Sequence, residues 1–145
     1  MSKVAVQSGF KILVVDDDHY VLDSLATMLE IEGHTLVPMN DAKTALFAIG
    51  TIAPDLVLLD LHMPGMDGME FLRAIKSNQH LARIPVIMLS ARMDRDSVEA
   101  ARKLGVIDFL AKPVSAEKLI SRLDRLAKAR VQEATTHGVA WSRPA

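Results

Sequence analysis

Four apolar runs in this chain end on side chains that can do chemistry. Lys11-Ile12-Leu13-Val14-Val15 leads into Asp16, Asp17 and Asp18; Leu56-Val57-Leu58-Leu59 into Asp60; Val86-Ile87-Met88-Leu89 into Ser90; and Phe109-Leu110-Ala111 into Lys112-Pro113. Carboxylates gathered from separate strand ends repel, since two unit charges about 4 Å apart cost about 4 kcal/mol at an effective dielectric near 20. Such a cluster calls for a cation. With oxygen ligands, no cysteine and no suitably spaced histidine pair, the ion is a hard one, Mg²⁺ first and Mn²⁺ as the substitute. A metal beside an aspartate, faced by a lysine and a hydroxyl, suits phosphoryl transfer. Cations neutralise the transferring oxygens, the hydroxyl donates a hydrogen bond, and the carboxylate is the covalent acceptor. The implied chemistry is formation and hydrolysis of an aspartyl phosphate.

Each residue alone has a plainer reading. Asp60 can be a turn former, the Asp16–Asp17 pair a helix cap, Ser90 a turn residue and Lys112 a solvated charge. Their joint placement is what makes a site, and that depends on the elements that carry them. The runs ending at Val15, Asp60 and Ser90 lack polar alternation, as strands buried on both faces do, and His34 to Met39 is a weaker strand. Helical spacing appears in Val21, Leu22, Leu25, Met28 and Leu29, which Gly33 closes after a start at Asp18 or His19. It recurs from an Asn40 or Asp41 cap through Ala42, Ala45, Leu46 and Ile49 to Gly50, and in Met69, Phe71, Leu72 and Ile75. Asp94 to Leu104, stopped by Gly105, is a fourth helix; Val106 to Leu110 is a fifth strand; and Ser115 caps a last helix carrying Leu119, Ile120, Leu123 and Leu126. Five strand–helix units predict a doubly wound α/β fold, with a five-stranded parallel sheet and helices on both faces. Residues 11–130 are expected to form this domain, after an N-terminal extension (1–10) and before a frayed tail or linker (131–145).

Composition excludes several classes. The 145 residues suit one domain, and 17 basic against 18 acidic residues leave no bulk charge for nucleic acid or an anionic membrane. The absence of cysteine excludes disulfides and thiolate chemistry. No apolar run is long enough to span a membrane and no signal peptide is evident, so a cytoplasmic protein is expected. A Walker loop is absent, and the first strand–helix turn is too acidic to cradle a flavin phosphate. His19, His34, His80 and His137 lack ligand spacing and are expected at the surface or in turns.

The runs Ile12-Leu13-Val14-Val15-Asp16-Asp17-Asp18, Leu59-Asp60-Leu61-His62-Met63-Pro64-Gly65-Met66-Asp67-Gly68, Met88-Leu89-Ser90-Ala91 and Phe109-Leu110-Ala111-Lys112-Pro113 resemble the receiver domain of bacterial two-component response regulators. The chemotaxis response regulator is of this kind. The resemblance covers roughly Lys11 to Lys128, in that family's order and spacing. It implies a flavodoxin-like sheet of order 2-1-3-4-5, with Asp60 taking a phosphoryl group from the phosphohistidine of a sensor histidine kinase or phosphotransfer protein. It further implies Mg²⁺ ligation by Asp17, Asp60 and the backbone carbonyl of His62, with Asp16 acting largely through water. Lys112 contacts the phosphoryl oxygens and its bond to Pro113 is cis, while Ser90 turns toward the phosphate, drawing Phe109 inward.

Phe109 lacks the hydroxyl of the tyrosine often found at its position, and strand core is its other reading. His62 and Arg92 lie at loop positions that vary in similar proteins and affect phosphoryl lifetime. The basic side chains Lys118, Arg122, Arg125 and Lys128 of the last helix are a solvated face or, with the fourth helix and fifth strand, a surface for a downstream protein or a homodimer. The function implied is a switch and not an enzyme. One alternative is a receiver-like interaction module that never carries phosphate. Another is a haloacid-dehalogenase-type phosphatase, which wants an acid where His62 stands.

Overall fold

The computed structural model of the chain describes residues 9–136, with side chains to 132. Ten elements alternate strictly. They are β1 (Lys11–Val15), α1 (His19–Ile31), β2 (Thr35–Met39), α2 (Ala42–Ile52), β3 (Leu56–Asp60), α3 (Gly68–Lys76), β4 (Val86–Ser90), α4 (Arg95–Lys103), β5 (Asp108–Ala111) and α5 (Ala116–Thr136). The strands pair in parallel in the order β2-β1-β3-β4-β5, the flavodoxin-like arrangement the resemblance implies.

Strand residues alternate between two cores because successive side chains leave opposite faces of a pleated sheet. On one face Leu13, Val15, Val57, Leu59, Val86 and Met88 pack with Ala42 and Ala45 of α2, Phe71 and Ile75 of α3, and Ala101 of α4. On the other, Ile12, Val14, Leu58, Ile87 and Leu89 meet Leu22, Leu25 and Leu29 of α1 and Leu119 and Leu123 of α5. β3 and β4 are buried along their whole length, which is why their sequences show no polar alternation. β2 lies at the edge, where Pro38, opposite Val14, is tolerated because no further strand needs the N–H that proline lacks.

Three element boundaries and two residue placements depart from the sequence expectation. Helix α2 passes Gly50 to end at Ile52, whose side chain packs on the core, and Ala53 closes it with φ +49°. β5 begins at Asp108, not Val106, because the Val106 N–H is taken by the carbonyl of Ala101 and closes α4. Phe10, placed by sequence in an extension, is buried in the second core. His34 lies in the α1–β2 turn, as expected, but half-buried; its ring stacks on Phe10 at 5.5 Å and its Nδ1 accepts the Phe10 N–H at 2.9 Å.

The fifth departure is at the other end, where α5 continues to Thr136, past the expected boundary at 130. Arg130 holds it there. Its Nη2 donates to the carbonyl of Asp55 at 2.9 Å, its Nη1 lies 3.7 Å from the Asp55 carboxylate, and its guanidinium sits 5.0 Å from the Phe10 ring centroid. The remaining tail and most of the N-terminal extension, His137 included, lie outside the described residues.

Candidate functional site

In a doubly wound sheet the crevice opens at the C-terminal strand ends where the strand order reverses, here between β1 and β3. Asp16 follows β1 and Asp60 ends β3; Ser90 ends β4 and Lys112 follows β5. Carboxylate oxygens of Asp16, Asp17 and Asp60 all lie within 4.8 Å of one another. Asp16 is fully buried and Asp60 nearly so, at 3% exposure, while Asp17 faces solvent. The Lys112 ammonium bridges the two buried acids, 2.7 Å from Asp16 and 3.1 Å from Asp60.

Local geometry holds each group. The Asp18 N–H donates to the Asp16 carboxylate at 2.9 Å, and the Asp18 side chain caps α1 by accepting from the Tyr20 N–H. The His62 N–H points to Asp60 Oδ1 at 3.4 Å. The Lys112 N–H is anchored to the Ser90 carbonyl at 2.9 Å, and the Lys112–Pro113 bond is cis. Asp67 and Glu70 form a reciprocal capping box at the start of α3. Gly68 lies so close under the acceptor turn that a Cβ there would fall 2.2 Å from the Asp60 carbonyl oxygen and 2.8 Å from the Leu61 Cα.

The electrostatics follow from this crowding. Burial first, and then the charge of Asp16, raise the Asp60 carboxyl above its ordinary value, against the pull of Lys112 and the His62 N–H. Burial works against the Lys112 ammonium, but its hydrogen bond to Asp16 and the charge of Asp60 outweigh that and hold it above an ordinary lysine. Three carboxylates face one ammonium, leaving the cluster short of positive charge. This hard, oxygen-only donor set fits a divalent cation such as Mg²⁺.

Two expected participants have other partners at rest. The Ser90 hydroxyl is engaged with the backbone of Arg92, donating to its carbonyl and accepting its N–H at 3.0 Å, in a turn that opens the β4–α4 loop. Phe109 is half-buried, packed against the first core as its strand-core reading expects, with Arg102 of α4 over its ring. His62 is exposed. The sequence reading passed over Gly68 and the capping box, although Asp67-Gly68 with glutamate three residues beyond the cap was a legible signal.

With the geometry in place, the comparison with known families is direct. A family model for the response regulator receiver domain matches residues 12–124. The chain belongs to this family. This receiver is 35% identical over 113 residues to the DNA-binding response regulator MtrA of Mycobacterium tuberculosis, covering 78% of this chain and 48% of MtrA. It is 34% identical over 115 residues to the phosphate regulon transcriptional regulatory protein PhoB of Pseudomonas aeruginosa, covering 79% of this chain and 50% of PhoB. It therefore spans about half the length of these curated relatives. Among solved structures, the receiver domain of Francisella response regulator 1452 superposes with a TM-score of 0.75 at 35% identity, over 83% of this chain and 98% of that one. Among the described residues no helix is long and apolar enough to cross a membrane.

Proposed function

We propose that this receiver takes a phosphoryl group from a phosphohistidine of a sensor histidine kinase or phosphotransfer protein onto Asp60, and that the modified state alters its binding to a downstream protein. The observation that carries the reading is the joint placement of Asp16, Asp17 and Asp60 with the Lys112 ammonium between the two buried acids. An Asp60 carboxylate oxygen attacks phosphorus, the P–N bond to the donor imidazole breaks, and the imidazole leaves with the electron pair and takes up a proton. Lys112 stabilises charge on the phosphoryl oxygens. Ser90 leaves its turn with Arg92 to donate to the phosphoryl group, and Phe109 moves in response.

Asp17, Asp60 and the His62 carbonyl would hold Mg²⁺, or Mn²⁺, with Asp16 contributing through water. When bound, such an ion neutralises the transferring oxygens. The chain acts as a switch and not as a multiple-turnover enzyme, and it works in the cytoplasm. Its readers are proteins, not nucleic acid or membrane, that approach through α4, β5 and α5, with a homodimer on the same face as a further mode. Having the full set of acids and the lysine argues against a receiver-like module without phosphate chemistry. An exposed histidine at position 62 argues against a phosphatase that needs a general acid there.

The test is mass spectrometry after incubation with acetyl phosphate and Mg²⁺. The expected result is a gain of one phosphoryl mass by the unmodified chain and none by Asp60→Ala. No gain, or a gain that survives Asp60→Ala, would falsify the reading.

A further inference from the structure

Ser90 and Phe109 share the wall of one cavity, and the size of that cavity limits what either can do. It holds only about 10 Å³ and is lined on its other sides by Met93 of the β4–α4 loop and by Val98 and Ala101 of α4, among others. A void of that size is at the threshold for a single water. Movement of the Phe109 ring toward Ser90 therefore crowds α4 and the loop. The outer side of the ring is held as well, because the Arg102 guanidinium carbon lies 5.7 Å from its centroid.

Arg102 and Val98 are four residues apart on α4, so they share one helix face. The helix that lines the cavity thus also carries the cation that holds the ring. A displacement of α4 that enlarges the cavity shifts the backbone that carries Arg102 relative to the ring. Upstream, the Ser90 hydroxyl is spent on the backbone of Arg92, one residue before Met93 in the cavity wall. Turning that hydroxyl toward a new acceptor at Asp60 frees the loop on the other side of the same cavity.

We propose that Arg102 is a positioning residue that locks Phe109 and α4 in the resting arrangement, so that occupancy of Asp60 must break the Arg102–Phe109 contact. The inference rests on the reading of Asp60 as phosphoryl acceptor. It gives this receiver a hold on its β5 aromatic that does not depend on a ring hydroxyl. By linkage, a contact made only at rest weakens binding of any ligand that requires the other arrangement. A cation over a partly exposed ring is worth about a two- to five-fold change in such an equilibrium.

The experiment titrates the full chain with beryllofluoride and Mg²⁺, an acyl-phosphate mimic, by calorimetry. Arg102→Gln should bind about two- to five-fold more tightly than the unmodified chain. Arg102→Lys, which restores a cation over the ring, should fall back toward the unmodified value. In a Phe109→Leu background, shown folded by circular dichroism, Arg102→Gln should have no further effect. Unchanged or weaker binding by Arg102→Gln overturns the proposal, as does the same tightening in the Phe109→Leu background. If the unmodified chain does not bind, or Asp60→Ala binds as well, the reading of Asp60 itself falls and takes the inference with it.

Discussion

Lys112 is the residue on which the metal-free site depends most. It is the cation in contact with both Asp16 and Asp60, and its side chain is only 16% exposed. Removing one partner of a buried ionic cluster leaves the others uncompensated, at a cost of about 3–5 kcal/mol. Lys112→Met should therefore lower stability in chelator-treated protein by about 3 kcal/mol, read from urea unfolding. In an Asp60→Asn background the loss should shrink, because the charge left stranded is smaller; equal losses in the two backgrounds would show that Lys112 acts by packing alone. Asp60→Asn by itself should stabilise the metal-free chain at neutral pH, because burial and Asp16 make the ionised Asp60 less favourable folded than unfolded. Adding Mg²⁺ should raise the melting temperature of the unmodified chain, by the equivalent of about 2.7 kcal/mol at a hundred-fold excess over Kd. The residue types of this site were legible in sequence because each ends an apolar run. The resting partners of Ser90 and Phe109 were not, because side-chain orientation in a loop is decided by backbone turns and neighbouring helices that no spacing encodes.

At the scale of elements, the turn beneath Asp60 is the most constrained backbone in the site. Gly68→Ala would drive a Cβ into the Asp60 carbonyl, against backbone and not against a yielding side chain. The expected cost is about 1–3 kcal/mol of stability together with weaker Mg²⁺ binding, read by thermal melts with and without the ion. A variant as stable as the parent would mean that α3 can slide freely. The first helix–strand turn carries a different sensitivity. Burial lowers the His34 imidazole below its ordinary value of 6.5, against the opposing pull of Glu32 and Asp124. Its Nδ1 accepts the Phe10 N–H, which an imidazolium cannot do. Unfolded chain then binds the proton more readily than folded chain, so stability is complete above about pH 6.5 and falls as the pH drops below it. Urea midpoints should decline from about pH 6.5 to 5, and His34→Gln should flatten that slope. The strand and helix order was legible because the helices carry a period of 3.6 while the central strands read as short unbroken apolar runs between turn residues. Phe10 and His34 were missed because a lone aromatic beside a polar tail has no period at all.

For the whole molecule, burial is shared between two cores with the sheet between them, so the helix layers depend on each other through β1, β3 and β4. Phe71→Ala, at a side chain with no exposed surface, should cost about 3–5 kcal/mol and lower the midpoint of one transition without splitting it. The end of α5 was the least legible large feature. Past Arg130 the apolar stripe runs out, and the helix is held instead by an arginine whose partners lie far away in the chain. That arginine joins the last helix to Phe10 and to Asp55, where β1 and β3 begin. The clasp therefore closes the fold into a ring. Fraying from either end must open the same contact, so β1 and α5 should lose amide protection together. It also sets a geography: the carboxylates gather at one pole, and α5 leaves the body at the other. On the proposed reading of Asp60, the Arg130 end of α5 lies a full strand length from the modified residue.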